Sequence, residues 1–334
     1  MPFNDLLGNK RISNILVSYL KNKIFPYSII FSGPVSASIN TFAQAFAKAL
    51  NCTGQANDFC DHCENCEGIN RGIFPDVMSL SPEGKFYKKE QIIFLIGENF
   101  KRPLRGDKKI YILNDAHKMN ENSANAFLKV LEEPALSSIF VLLTHNLNGL
   151  LPTIKSRCQI LKFTPPFQAE INTFLIKNGY PEDKARLISH LSLGANDPFL
   201  AKNLNQYLQK RSDALSVMVK LITKREVEDV LLDLYGRSRN RDRFLHYFNQ
   251  LIHLISLFLR DIMILKINRE SECIINIDLK DILMNLGEYI TIDRVLFLIY
   301  RMELLFRDVQ RNLNTRVLIL EFIRYYTQKE VDGV

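Results

Sequence analysis

Cys52, Cys60, Cys63 and Cys66 follow the pattern C-x7-C-x2-C-x2-C within fifteen residues. Four thiolates satisfy a tetrahedral Zn²⁺, and two-residue spacers let neighbouring sulfurs converge on one metal. Four protein ligands leave no open position for water, so this spacing predicts a structural site. His62 lies inside the module, and is expected to be a bystander because the cysteines already complete the shell. Reduced thiols without metal are the alternative. The chain has six cysteines in all, and such clustering in a reducing compartment favours metal over disulfides.

A second constellation is Gly33-Pro34-Val35-Ser36-Ala37-Ser38-Ile39-Asn40-Thr41. A phosphate loop reads G-x-x-x-x-G-K-[ST]: its backbone amides cradle the phosphates, its Lys reaches the outer ones and its hydroxyl ligates Mg²⁺. Here Ser38 stands at the second glycine, Ile39 at the lysine and Asn40 at the hydroxyl. Without an ammonium the terminal phosphates would go unneutralised, so this chain is not expected to hydrolyse ATP by itself. A motor that hydrolyses ATP would need another cation, and Lys48, two turns down the helix, is the candidate.

Residues 110–117, Ile-Tyr-Ile-Leu-Asn-Asp-Ala-His, stand where an apolar strand of an ATPase ends in Asp-Glu. There the Asp organises Mg²⁺ and the Glu activates the attacking water. Asn114 cannot supply the anionic partner, and Asp115 is one methylene shorter than the expected base. Two separate parts of one nucleotide site are altered together.

The elements that would position these residues alternate along the first half. Ser28-Ile29-Ile30-Phe31-Ser32 reads as a strand ending at Gly33-Pro34, and Thr41 to Leu50 places Phe42, Ala45, Phe46 and Ala49 at helical spacing. Lys109 to Leu113 and Ile139 to Thr144 are buried-strand runs, separated by a helix from about Asn120 to Glu133 that Pro134 stops. Near-continuous apolar strands between helices predict a parallel sheet covered on both faces, an α/β region closed by Pro165-Pro166. Beyond Phe167 the strand signals fade, and long amphipathic patterns over 244–267 and Arg294 to Asn312 predict helices. Arg237, Arg239, Arg241 and Arg243 read as a solvated loop between helices, with a DNA-backbone or partner contact as the alternative.

The 334 residues exceed one ordinary core and predict two or three domains. With 47% hydrophobic and 24% charged residues the chain has the composition of a soluble globular protein, and its net charge of +7 permits nucleic acid or acidic partners without requiring them. The most apolar stretch, Leu251 to Ile267, carries His253, Ser256, Arg260, Asp261 and Lys266, which argues against a membrane span. The opening Met1-Pro2-Phe3-Asn4-Asp5 lacks a basic region followed by an apolar run, so no signal peptide and a cytoplasmic protein are expected.

Asn125-Ala126-Phe127-Leu128-Lys129-Val130-Leu131-Glu132-Glu133-Pro134, followed by Thr153-Ile154-Lys155-Ser156-Arg157-Cys158, resembles the bacterial clamp-loader ATPase family of DNA polymerase III, within the AAA+ class. The four-cysteine insertion is similar to that family's zinc module. The match is specific over residues 1–166, whereas afterwards only helical character and length agree. It implies an AAA+ (RecA-like) domain over 1–166 with a structural Zn²⁺ module at 52–66, a helical lid over 167–204 and an all-α collar for oligomerisation over 205–334.

The resemblance also implies a role for Arg157, flanked by Ser156 and Cys158: in this family the arginine projects into the neighbouring subunit's nucleotide site. There it stabilises charge building on the γ-phosphate, for which a planar, permanently charged fork suits it. An ordinary surface arginine is the alternative. The family's motor subunits carry a lid arginine in a Gly-Ser-x-Arg-Asp setting, where this chain has Gly194-Ala195-Asn196-Asp197. Asp197 there would repel phosphate, or it caps a turn ahead of Pro198. The implied partners are gamma/tau motor subunits and a delta chain in a hetero-oligomer, with the sliding clamp and primed DNA reached through the assembly and no membrane. A zinc module that reads DNA is a further alternative, opposed by Asp58, Asp61, Glu64 and Glu67, which would repel phosphates.

Overall fold

The computed structural model describes residues 2–34, 37–195, 200–271, 273–310 and 313–327. Val35 and Ser36 of the phosphate-loop position, and Asn196, Asp197 and Pro198, lie outside the described residues. Two compact units result, Met1–Gly179 and Tyr180–Val334.

In chain order the first unit carries α1 (Lys10–Asn22), β1 (Ser28–Ser32), α2 (Ile39–Asn51), α3 (Glu64–Asn70), β2 (Val77–Leu80) and α4 (Lys89–Asn99). It continues with β3 (Lys109–Leu113), α5 (Glu121–Glu132), β4 (Ser138–Thr144), α6 (Pro152–Lys155), β5 (Gln159–Lys162) and α7 (Gln168–Lys177). All strand pairs are parallel, in the order β2-β3-β4-β1-β5. The chain therefore leaves β1 for the far edge, returns through β3 and β4, and passes over β1 to reach β5.

Right-handed crossovers put the outgoing and returning helices on opposite faces, and alternate strand residues record it. Ile29, Phe31, Ile110, Ile112 and Val141 pack with Leu16, Phe42 and Phe46 of α1 and α2. Ile30, Tyr111, Leu113, Phe140 and Leu142 pack with Ile92 and Leu95 of α4 and with Phe127 and Val130 of α5. The expected α/β sheet covered on both faces is present. Asn9, ahead of α1, exchanges 2.9 Å bonds with both main-chain groups of Thr164, which ties the start of the unit to the segment after β5.

In the second unit the described residues form α8 (Glu182–Ala195), α9 (Leu204–Ile222), α10 (Val227–Arg237), α11 (Arg241–Ile267), α12 (Lys280–Gly287), α13 (Ile292–Gln310) and α14 (Thr315–Thr327), and contain no strand. Phe248 of α11 stacks on Phe244 with ring centroids 5.2 Å apart and meets Phe322 of α14 edge-on at 5.5 Å. No described helix is long and apolar enough to cross a membrane. The four arginines of the run are exposed as expected, but only Arg239 lies in a loop. Arg237 ends α10, paired with Asp233 and set over the Tyr247 ring, whereas Arg241 and Arg243 lie in the first turn of α11. Asn240 starts that helix by accepting from the Arg243 amide, so the break shrinks to 238–240.

One charge in the apolar stretch has a structural task. Asp261 is fully buried and accepts from the amides of Ile275 and Asn276, from Asn276 Nδ2 and from Arg260 Nη1, at 2.8–3.1 Å. It thereby pins the 274–276 segment to α11. Asp261→Ala is expected to destabilise the protein by about 3 kcal/mol, since buried donors lose a charged acceptor. Urea unfolding checks this, and an unchanged midpoint would remove Asp261 as the anchor.

Candidate functional site

Because every strand is parallel, the carboxyl ends of β1, β3 and β4 lie along one edge of the sheet, and the switch in strand order occurs where β1 and β4 adjoin. Ligands of such sheets sit at that crevice. Gly33 follows β1, with its amide bonded to the Thr144 carbonyl (3.2 Å) and its own carbonyl accepting from His145 Nδ1 (2.9 Å). A Cβ at position 33 would lie 2.9 Å from both Cβ and O of Phe163, so this glycine serves a close approach to the segment after β5.

Ser38, at the second-glycine position, has a backbone conformation that favours glycine. Its φ of 54° and ψ of 34° are left-handed, a conformation that costs a residue with a Cβ about 1–2 kcal/mol. At the lysine position, Ile39 is 3% exposed and belongs to the core with Phe42 and Phe163. Its side chain is thus committed to packing. Asn40 is exposed. Lys48, the substitute cation, is buried, ion-paired to Asp61 and placed 4.3 Å above the Phe59 ring, so it belongs to the cysteine module.

At the end of β3, Asn114 turns its amide to the edge strand, donating to Ser79 Oγ (3.0 Å) and Ser81 Oγ (3.1 Å). The buried Tyr87 ring brings its hydroxyl to the carbonyls of Leu80 and Asn114 and holds that arrangement. Asp115, at φ 47°, is ion-paired to Lys118 at 2.8 Å. The Lys118 hydrogen bond holds its carboxyl below the usual range, which makes it a poorer base. Three residues that the sequence left without a role, His117, Thr144 and His145, share this edge, with His117 Nδ1 lying 3.1 Å from Thr144 Oγ1. Burial lowers the His117 pKa, so it is neutral at neutral pH and supplies no cation in place of the lysine.

Arg157 follows α6, a four-residue helix that starts on Pro152 and is anchored by the fully buried Ile154. Ser156 Oγ donates to the Thr153 carbonyl (3.0 Å), and Arg157 Nη1 donates to the same oxygen (3.2 Å). Arg157 Nη2 pairs with Glu132 Oε1 at 2.7 Å, with the arginine side chain 38% exposed. Burial pushes the Cys158 thiol up to about 12. Cys158 is therefore an unreactive packing residue.

The four module sulfurs all lie within 4.8 Å of one another. Cys52 Sγ is 3.6 Å from Cys60 Sγ and 3.9 Å from Cys63 Sγ, against the roughly 3.8 Å that a tetrahedron of 2.3 Å Zn–S bonds requires. Sulfurs also accept main-chain N–H bonds, Cys60 from Cys63 (3.3 Å) and Cys63 from Cys66 (3.4 Å). Burial alone would raise the Cys63 pKa, yet bonds from Cys66 and Thr53 outweigh it and bring the thiol to about 5. Gly54 leaves the room the cluster needs, since a Cβ there would sit 2.8 Å from Cys60 Sγ. The residues present fit a structural Zn²⁺. His62 turns Nδ1 to the Cys60 carbonyl (2.7 Å) and stands outside the sulfur set. The module's acids are already engaged: Asp61 by Lys48, Glu64 by Arg105, Glu67 by Arg71, and Asp58 by the Phe3 amide. Repulsion of nucleic acid by this module is therefore weaker than its composition implies.

Residues 8–167 match the family described as DNA polymerase III, delta subunit. The DNA polymerase III subunit delta′ of Bacillus subtilis is 27% identical over 270 residues, covering 79% of this chain and 80% of its own. That of Pseudomonas aeruginosa is 29% identical over 60% of this chain and 62% of its own. The gamma/tau subunit of Mycoplasma pneumoniae is 35% identical over 162 residues, covering 48% of this chain but 24% of that longer protein. Among solved structures, a gamma subunit-related protein of Thermotoga maritima aligns over 95% of this chain and 97% of its own at 19% identity, with a TM-score of 0.45.

Proposed function

We propose that this chain, a relative of the delta′ and gamma/tau subunits of DNA polymerase III, is a delta′-like clamp-loader subunit that does not hydrolyse ATP. On this reading it closes a ring of AAA+ neighbours in a cytoplasmic hetero-oligomer with gamma/tau and delta chains, and offers Arg157 to the adjacent ATP site. The assembly opens a sliding clamp and sets it on primed DNA, with residues 167–204 as a lid and 205–334 as a collar. Structural Zn²⁺ on Cys52, Cys60, Cys63 and Cys66 would hold the module together without taking part in chemistry.

The observation that carries the reading is the burial of Ile39 at the phosphate-loop lysine position. Two further features support it: Asn114 is spent on Ser79 and Ser81, and Asp115 on Lys118. The hydrolysing gamma/tau-like alternative needs Lys48 at the phosphates, and that ammonium is engaged elsewhere. With no cation at position 39 and no anionic partner for Mg²⁺ at position 114, there is little to offset charge building during phosphoryl transfer.

The purified chain alone is expected to show no ATPase activity above buffer, and Ile39→Lys alone should not restore it. Steady-state phosphate release measures this directly. Turnover by highly purified wild-type protein, lost on Lys48→Ala, would overturn the reading in favour of a motor.

A further inference from the structure

We propose that Glu132 is a positioning residue for Arg157, holding its guanidinium in the orientation from which it meets a neighbour's nucleotide. This rests on the reading of Arg157 as an arginine that acts in trans. The two side chains are 25 positions apart and come from different elements, Glu132 from the last residue of α5 and Arg157 from the residue after the cap of α6. Nη2 donates to Glu132 Oε1 at 2.7 Å and Nη1 to the Thr153 carbonyl at 3.2 Å.

Both acceptors are carried by rigid supports. Phe127, Val130 and Leu131 bury one face of α5, and Ile154 is fully buried between Thr153 and Arg157. A long exposed arginine otherwise samples many rotamers. Two acceptors on fixed elements select one of them, and among the described residues only two of the five guanidinium N–H groups find an acceptor. Three donors remain for phosphoryl oxygens.

Helix stability does not explain Glu132. A carboxylate in the last turn of a helix faces the negative end of the macrodipole, where a cation is favoured. Its side chain is 53% exposed and that of Arg157 is 38% exposed. An exposed pair of this kind adds little to stability, so the arginine is oriented without being locked away from a stronger anion.

The test uses the reconstituted loader with clamp, primed DNA and ATP, measuring kcat and KM for Glu132→Ala, Glu132→Gln, Arg157→Ala and the Glu132→Ala/Arg157→Ala double variant. Glu132→Ala is expected to lower the Arg157-dependent part of kcat by about fivefold, the upper range for an exposed pair, with KM for ATP unchanged. Glu132→Gln should recover most of that loss, because its amide oxygen still accepts from Nη2. In the Arg157→Ala background Glu132→Ala should add nothing. A wild-type rate for Glu132→Ala beside a defective Arg157→Ala overturns the positioning role and leaves the trans-acting arginine standing. So does an equal loss from Glu132→Ala in both backgrounds. A wild-type rate for Arg157→Ala overturns the trans-acting reading itself, and the positioning role with it.

Discussion

Protein purified under reducing conditions without chelator is expected to hold one zinc per chain, and Cys60→Ser to lose most of it together with the fold of residues 52–66. Two sulfur separations, 3.6 and 3.9 Å, already match those a tetrahedral ion imposes, and all four sulfurs lie within 4.8 Å of one another. Without the cation, one buried and three half-buried sulfurs would crowd one another at those distances. Metal binding to small cysteine sites contributes about 10–16 kcal/mol of apparent folding free energy, although here neighbouring packing carries part of the local structure.

The consequence extends beyond the module. Cys66 and Phe59 are buried in the same apolar cluster as Phe46 and Leu50 of α2, and Phe59 meets the Phe3 ring edge-on at 5.4 Å. Phe3 also donates its amide to Asp58 at 3.1 Å. Hydrogen exchange in Cys60→Ser should therefore rise over residues 52–66 and over the segment around Phe3, while β3 and β4, held from both faces, keep their protection. Metal analysis finding no zinc in the wild-type protein would sink the assignment. Uniform exchange across the whole unit would show that the module and sheet fold as one.

The central strands were legible because they are buried on both faces. β1 and β3 span the apolar runs 28–32 and 109–113, and β4 begins one residue before its run. The edge strands were not. β2 is Val-Met-Ser-Leu and β5 is Gln-Ile-Leu-Lys, both short and half-exposed, so burial gives them little apolar signature. α4 escaped for a different reason: Ile92 and Leu95 are buried while Ile93 and Phe94 are exposed, which blurs the helical period. The phosphate-loop substitutions were readable one by one, yet the fate of Ile39 depends on tertiary packing. The same holds for contacts that join distant parts of the chain, such as Lys48 with Asp61, Asn114 with Ser79, and Arg157 with Glu132.

Replacing Arg157 by alanine is expected to reduce the assembly's ATPase and clamp-loading rates far more than subunit association. An arginine supplied in trans acts on charge that develops during phosphoryl transfer, and such fingers contribute about 10³–10⁵ in rate at their own site. Only one of several sites in the ring would lose its arginine, so total turnover should fall by much less than that. The truncation itself is mild. Arg157 is exposed, Ile154 and Cys158 still anchor the turn, and the Thr153 carbonyl keeps its bond from Ser156 Oγ. No buried polar group is orphaned, so the variant should fold, bind zinc and co-assemble as the wild type does. Arg157→Lys should be nearly as defective, because a point charge on a flexible stem can neither span Glu132 and Thr153 in the same way nor present a planar fork to the phosphate. The measurement is steady-state ATP turnover of the reconstituted loader with clamp and primed DNA, paired with a sizing assay for assembly. Wild-type turnover by either variant would leave Arg157 a surface residue, whereas lost assembly would assign it to the interface instead of to catalysis.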